Sequence, residues 1–299
     1  MDRDTFILTV YCLVVEHYRA PAALYPIRPG GFAPEVSDEE VITMEICGEY
    51  LKHQTDQDLF DYFHAHYRHF FPKLTDRTLF VRQAANLWQV KAALPQRLTH
   101  LSGQAADPVQ ALDTLPVPVC TYTRGGRRDK GFPLEADYGH CAAKKLDYYG
   151  FKLGLRITRC GMITHCPLLA ARPHDIKHLA ALVEGFTGLV PADKGFIDAF
   201  RQDLLPTRHD LTILTPVRAR LAPPPHSKTL LKASARWRKR IETVGSQLTE
   251  RFAIARIRVR DLWHFHHRVI RKVLAHTVCV FLNLHLRRSP LDLDGLVCD

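Results

Sequence analysis

Through the first third of the chain, apolar residues recur with helical spacing between polar ones. An apolar run at 6–15 comes first. Ser37-x-x-Glu40 then forms a capping box, in which hydroxyl and carboxylate each take a free N–H of the first turn, and it opens a helix over 38–51. Thr55 or Asp56 starts the next, to residue 67, with Leu59, Phe60 and Phe63 on its apolar face and Pro72 closing the segment. Thr75-Asp-Arg begins a third, through Leu79, Ala84, Leu87 and Val90 to about residue 98. Residues 1–100 therefore read as a helical domain, suited either to DNA contact or to dimerisation.

The pattern changes near Pro108. A short strand is predicted at 109–113, then a pair at 151–158 and 162–170 turning at Gly161. Pro173-His-Asp-Ile opens a helix to about residue 184, with Ile176, Leu179, Ala180 and Val183 on one face. A strand at 188–192, a helix at 196–204 and a strand at 211–216 follow. The proline-rich stretch 222–227 reads as a stiff linker. Beyond it come helices at 232–252 and 261–286, separated by an extended stretch at 253–259 in which apolar and basic residues alternate. This order describes a mixed α/β sheet rather than a doubly wound parallel one, and sets a second domain at 105–290 that includes the C-terminal helices.

Charge narrows the partner. Among 299 residues, 41 Lys and Arg face 31 Asp and Glu, a formal charge of +10 with a pI near 9.3. That balance favours a polyanion, through steering and phosphate neutralisation. The eight cysteines are scattered, without a Cys-x-x-Cys pair, and read as reduced residues. Cys160, His165 and Cys166 lack the spacing and the fourth ligand of a closed zinc site. His264, His266 and His267 fall on a helix whose apolar side holds Val269, Ile270, Val273 and Leu274, so they read as a polar rim and not as a metal tract. The acidic start and the short apolar runs predict neither a signal peptide nor a membrane span.

Three acids stand where strand-cutting chemistry places them. Asp113 ends the first predicted strand, Asp193 follows the fourth, and Glu242 rides a helix in the strongly basic segment Arg236-Trp-Arg-Lys-Arg-Ile-Glu242. Carboxylates beside an anionic substrate are costly unless divalent metal neutralises them, so acids set in basic sequence suggest metal-assisted phosphoryl transfer. Asp107, Asp198, Asp210 and Glu250 compete for these places, and spacing alone also allows three unrelated surface acids. Nine Lys or Arg over 232–260 can track phosphates, and the loop Arg124-Gly-Gly-Arg127-Arg128-Asp-Lys lets backbone approach them closely.

Several blocks carry a resemblance. Asp113-Thr-Leu-Pro-Val-Pro-Val-Cys120, Tyr148-Tyr-Gly-Phe-Lys-Leu153, Ala192-Asp-Lys-Gly-Phe196 and Arg238-Lys-Arg-Ile-Glu242 occur in the order seen in the IS982 family of bacterial DDE transposases. Two earlier blocks, Val36-Ser-Asp-Glu-Glu-Val-Ile-Thr-Met-Glu-Ile46 and Arg77-Thr-Leu-Phe-Val-Arg-Gln-Ala-Ala-Asn-Leu87, extend the similarity to residues 35–285. The resemblance implies a ribonuclease H-like, retroviral integrase-like catalytic domain behind an N-terminal helical domain. It implies Asp113, Asp193 and Glu242 as the catalytic, metal-binding triad. Two Mg²⁺ ions would be held there, with Mn²⁺ as a substitute, for strand cleavage at the element ends and transfer of the 3′-hydroxyl to target DNA. It further implies a bacterial, cytoplasmic, nucleoid-associated protein that binds terminal inverted repeats and target DNA as a dimer or higher oligomer. A nuclease of the same fold that never joins strands, or an inactive DNA-binding derivative, are the alternatives.

Related transposases set a tyrosine and a lysine around the last acid, and here those positions are Ala235 and Thr249. DNA contacts are therefore expected from Arg124, Arg127, Arg128, Lys194, Arg238, Lys239, Arg240 and Arg251. Arg238, four residues before Glu242, shares its helical face.

Overall fold

The computed structural model describes residues 1–25, 27–28, 30, 33–125, 132, 135–141, 145–196, 210–216 and 227–298. The chain divides into two compact units, one of Met1–Ser102 with Gln247–Asp299 and one of Gly103–Ser246.

The first unit is helical: α1 (Arg3–Ala22), α2 (Asp38–Tyr50), α3 (Asp56–His66), α4 (Arg77–Asn86), α5 (Trp88–Leu101) and a C-terminal helix at Leu262–His285. Local chemistry sets the starts. The Ser37 hydroxyl accepts from the Glu40 N–H while the Glu40 carboxylate accepts from the Ser37 N–H, and Thr55 and Asp76 cap α3 and α4. The single helix expected at 75–98 is two, because the chain leaves helical geometry at Leu87 (φ −81°, ψ 6°), which ends α4 and precedes Trp88. The C-terminal helix is buried almost all round from Val269 to Asn283, and packs on α2 and α5. The polar-rim expectation fails only for His267, which is buried as Arg271 and Lys272 are, while His264 and His266 remain partly exposed. The extended stretch expected at 253–259 instead makes a 3₁₀ turn at Ile254–Arg256 after Ala253, at φ 48°.

The second unit is built on β3 (Leu146–Thr158), numbered after β1 (Gln110–Thr121) and β2 (Asp137–Cys141). One edge of β3 pairs antiparallel with β1, placing Asp113 opposite Leu155. Its other partners, also antiparallel, are β2, β5 (Leu168–Ala170) and β4 (Ile163–His165). β6 (Gly188–Pro191) and β7 (Leu211–Leu214) pair in parallel, and a parallel bridge joins Val109 to Leu189 beside β1. The result is an open mixed sheet. A short helix, α6 (Leu179–Leu182), and a long one, α7 (Lys228–Glu250), complete the elements; Ser246 is the last residue of α7 in this unit. The core joins Leu112, Leu169, Leu179, Leu182, Val190 and Phe196.

Three expectations are corrected here, and one strand had none. β1 runs on to Thr121, past two prolines, with a register shift between Pro118 and Cys120 where proline cannot donate to the ladder. The strand at 162–170 is two, since Pro167 lacks an N–H and its carbonyl takes the Gly154 N–H (2.9 Å) between them. The helix at 173–184 is a 3₁₀ turn, Asp175–His178, followed by one α-turn that ends before Gly185, at φ 66°. β2 had no counterpart in the sequence reading. Gly188 (φ 130°) is required, because a Cβ would stand 2.4 Å from the Pro108 carbonyl oxygen. The expected helix at 196–204, after Phe196, and the linker at 222–226 lie outside the described residues.

Candidate active site

Each acid reaches its place by a different local device. Asp113 is the fourth residue of β1, half-buried, and its Oδ1 accepts from the Thr114 N–H at 2.7 Å. Asp193 follows β6, where the Asp193 carbonyl accepts from the Phe196 N–H (3.0 Å) and so closes the 3₁₀ turn Lys194–Phe196. Glu242 is exposed on α7. Ile241 and Val244 are buried on either side of it, and the close approach of Gly245 to Leu115 seats that helix on β1. A Cβ on Gly245 would already stand 3.1 Å from the Leu115 side chain.

The three are electrostatically linked. Burial pushes the Asp113 carboxyl up to about 6, and the charges of Asp175, Asp193 and Glu242 push the same way against the Thr114 N–H. A sheltered carboxyl with further acids close to it is a candidate site for a bound cation. Part of that charge is already present: the Arg238 guanidinium donates to Asp193 Oδ1 at 2.7 Å, with Asp193 58% and Arg238 22% exposed.

Carboxylate oxygens are hard donors, and the set matches a divalent ion in chemistry. Among the described residues, however, no group of three or more His, Cys, Asp or Glu side chains is arranged to hold a metal ion. The carboxylates are turned toward protein donors instead, Asp193 to Arg238 and Asp113 to Thr114.

The basic candidates separate. Lys239 and Arg240 are exposed on α7 beside Arg238, and Arg124 is exposed in a 3₁₀ turn after β1. Arg127 and Arg128 lie outside the described residues, as does the Lys194 side chain. Arg251 belongs to the helical unit, where its guanidinium lies 4.3 Å from the Tyr50 ring and pairs with Asp294. Of the rival acids, Asp107 takes the Val109 N–H and Arg159 and so serves a turn.

Sequence reading missed Asp175, Lys152 and Thr114. The Lys152 ammonium reaches Asp175 Oδ1 at 2.9 Å and the Pro173 carbonyl at 2.8 Å, and the Thr114 hydroxyl donates to the same Asp175 oxygen at 2.9 Å. The available signal was a lysine between Phe151 and Leu153 in a strand, since a buried ammonium requires a partner.

A family model described as the transposase DDE domain matches residues 103–262. The chain belongs to the transposase DDE domain family. No curated protein and no solved structure shows a significant match to it. Membership settles the fold class expected above: an open, mixed, ribonuclease H-like sheet preceded by a helical region. It places the transposase DDE domain chain among enzymes that cut or transfer polynucleotide strands, and implies DNA binding and oligomerisation. Asp113, Asp175, Asp193 and Glu242 all fall inside the matched residues. Among the described residues no helix is long and apolar enough to cross a membrane.

Proposed function

We propose that this transposase DDE domain protein is of the IS982 type, cutting DNA at the ends of an insertion element and joining the freed 3′-hydroxyl to target DNA. The observation that supports the reading is that Asp113 on β1, Asp193 after β6 and Glu242 on α7, acids from separate elements, lie near enough for the charges of the last two to act on the first. Two divalent ions, Mg²⁺ or Mn²⁺, held by Asp113, Asp193 and Glu242 would supply Lewis acidity at the scissile phosphate and a lowered pKa for the attacking hydroxyl. The chain's own residues do the rest. The Thr114 N–H orients the Asp113 carboxylate. Arg238 holds Asp193 and, with Lys194, Lys239 and Arg240, offers positive charge to the phosphates flanking the cut. Arg124, Arg127 and Arg128 are the further DNA contacts of this reading. No side chain acts as a nucleophile, because water or a DNA hydroxyl attacks phosphorus in line.

Asp113→Asn, Asp193→Asn and Glu242→Gln should each abolish cleavage of a duplex carrying the DNA that flanks the gene, while binding to that duplex persists. Full Mg²⁺-dependent cleavage by any one of them removes that residue from the site. Joined target DNA among the products separates a transposase from a nuclease, which leaves only cut ends. Light scattering of the same complex should show two chains holding paired ends.

A further inference from the structure

We propose that Asp175 is a positioning residue of the acidic site, tying the backbone beside Asp113 to the turn beside Asp193. The inference rests on the reading of Asp113, Asp193 and Glu242 given above.

The tie begins at Lys152, only 9% exposed in β3. A sheltered ammonium holds its partners firmly, since leaving it unpaired is costly. Its two partners, the Pro173 carbonyl and Asp175 Oδ1, fix both the approach to the 3₁₀ turn and the carboxylate that begins it. The same Oδ1 receives the Thr114 hydroxyl. Thr114 is thereby held at both ends, its side chain by Asp175 and its N–H by Asp113 Oδ1 at 2.7 Å. The Asp113 carboxylate thus takes its direction from a peptide that Asp175 anchors.

Oδ2 of Asp175 lies near a second turn. A Cβ added to Gly195 would stand 3.8 Å from it, which sets Asp175 against the turn Lys194–Phe196 that follows Asp193. Ile176 and Phe196 also share one apolar cluster, so the two turns are packed as well as juxtaposed. One carboxylate therefore binds the hydroxyl of the residue after Asp113, lies close to the turn that follows Asp193, and is itself held by a buried cation. That arrangement sets where Asp113 and Asp193 stand relative to each other. It asks for no contact between Asp175 and the reacting phosphate.

The test uses the full chain with two readouts: Mn²⁺ binding by calorimetry without DNA, and steady-state cleavage of the duplex carrying the gene's flanking DNA. Asp175→Ala should lower both Mn²⁺ affinity and kcat by about 10–100-fold, the usual cost of losing a group that orients a metal-binding ligand, with KM for DNA unchanged. Thr114→Val leaves the Lys152–Asp175 pair intact and removes only the hydroxyl tie; it should move both readouts in the same direction, and Thr114→Ser should restore them. The valine–serine pair decides the matter even where Asp175→Ala does not fold. Wild-type kcat and Mn²⁺ affinity in Thr114→Val and in folded Asp175→Ala would overturn the proposal, while an inactive Asp113→Asn leaves the site reading standing. A fully active Asp113→Asn overturns both.

Discussion

Asp56 and Asp113 carry the same carboxyl group into sheltered surroundings and are driven in opposite directions. Burial acts to raise both. At Asp56, in the helical unit, the guanidinium groups of Arg271 (2.8 Å) and Arg268 (2.5 Å) outweigh it and take the carboxyl down to about 2. At Asp113, in the sheet unit, the surrounding charges are themselves acids, and the carboxyl rises to about 6. Around Asp56, charges of opposite sign alternate. Glu49 accepts from both Arg271 (2.6 Å) and Lys272 (2.8 Å), and Glu45 from Lys91 (2.5 Å), all of them buried. In the helical network every carboxylate faces at least one cation, and the network is explained as structure. The acid group in the sheet unit is balanced only in part, and its deficit is one that a bound cation would fill. The difference teaches that a carboxylate's neighbours, not its burial, distinguish a structural acid from a site acid.

The comparison breaks most sharply at Glu49. Replacing it with alanine strands Lys272 in the core of the helical unit and leaves Arg271 to Asp56. Removing one partner of a buried pair costs about 3–5 kcal/mol, a large share of a domain's stability. Urea denaturation followed by circular dichroism should show that loss. A shift in midpoint no larger than that of a surface variant would mean the network is not the framework of this unit. Among the described residues, Arg271 Nη2, Glu45 Oε1 and His267 Nε2 already have no hydrogen-bond partner, so little slack remains to absorb the change.

Much of the local structure was legible, and little of this network was. Caps at Ser37, Thr55 and Asp76 and the turn at Gly161 declare themselves within a few residues, because the groups that satisfy one another are neighbours in sequence. Arg271 and Glu49 are 222 residues apart, and no helical period says that a charge on one helix will meet a charge on another. The site divides along the same line. Asp113, Asp193 and Glu242 could be singled out because each sits in a recognisable block. Asp175 was read only as part of a helix start, because its partners Thr114 and Lys152 lie 61 and 23 residues away. The one local clue was Lys152 itself, a charge in an apolar strand.

A middle-sized effect separates the two aspartates by pH. A depressed folded pKa gives Asp56 a stabilising contribution that is present above the unfolded value near 3.8 and lost as pH falls toward 2. Asp113 has the opposite sign. Its raised pKa means that ionisation destabilises the folded state, a penalty fully present above about 6 and relieved as pH falls from 6 toward 3.8. At about 1.4 kcal/mol per unit, that penalty is about 3 kcal/mol at pH 8. Asp113→Asn should therefore melt higher than the wild type at pH 8 without metal, and the gain should vanish by pH 4. Mg²⁺ should raise the wild-type melting temperature and leave that of Asp113→Asn nearly unchanged. A variant that melts lower than wild type at pH 8 would show that the like-charge crowding is not felt.

The smallest effect on stability belongs to Arg238, where the two kinds of environment meet. Its pair with Asp193 resembles those of the helical unit in geometry, at 2.7 Å, but Asp193 is 58% exposed and water screens the attraction. Exposed pairs of this kind contribute about 0–1 kcal/mol, so Arg238→Gln should change the urea midpoint little. Its effect on the site is another matter, since Asp193 then loses a guanidinium and turns its full charge toward Asp113 and Glu242. Mn²⁺ affinity measured without DNA should rise, because the ion no longer competes with the arginine for a carboxylate oxygen. DNA affinity should fall and become less steeply dependent on salt, by about one phosphate contact. Opposite movement of the two affinities is what distinguishes a site arginine from a structural one: losing Arg271 would weaken the fold and, through it, both affinities together. If Arg238→Gln leaves Mn²⁺ and DNA binding as they were, Arg238 is a surface partner of Asp193 and nothing more.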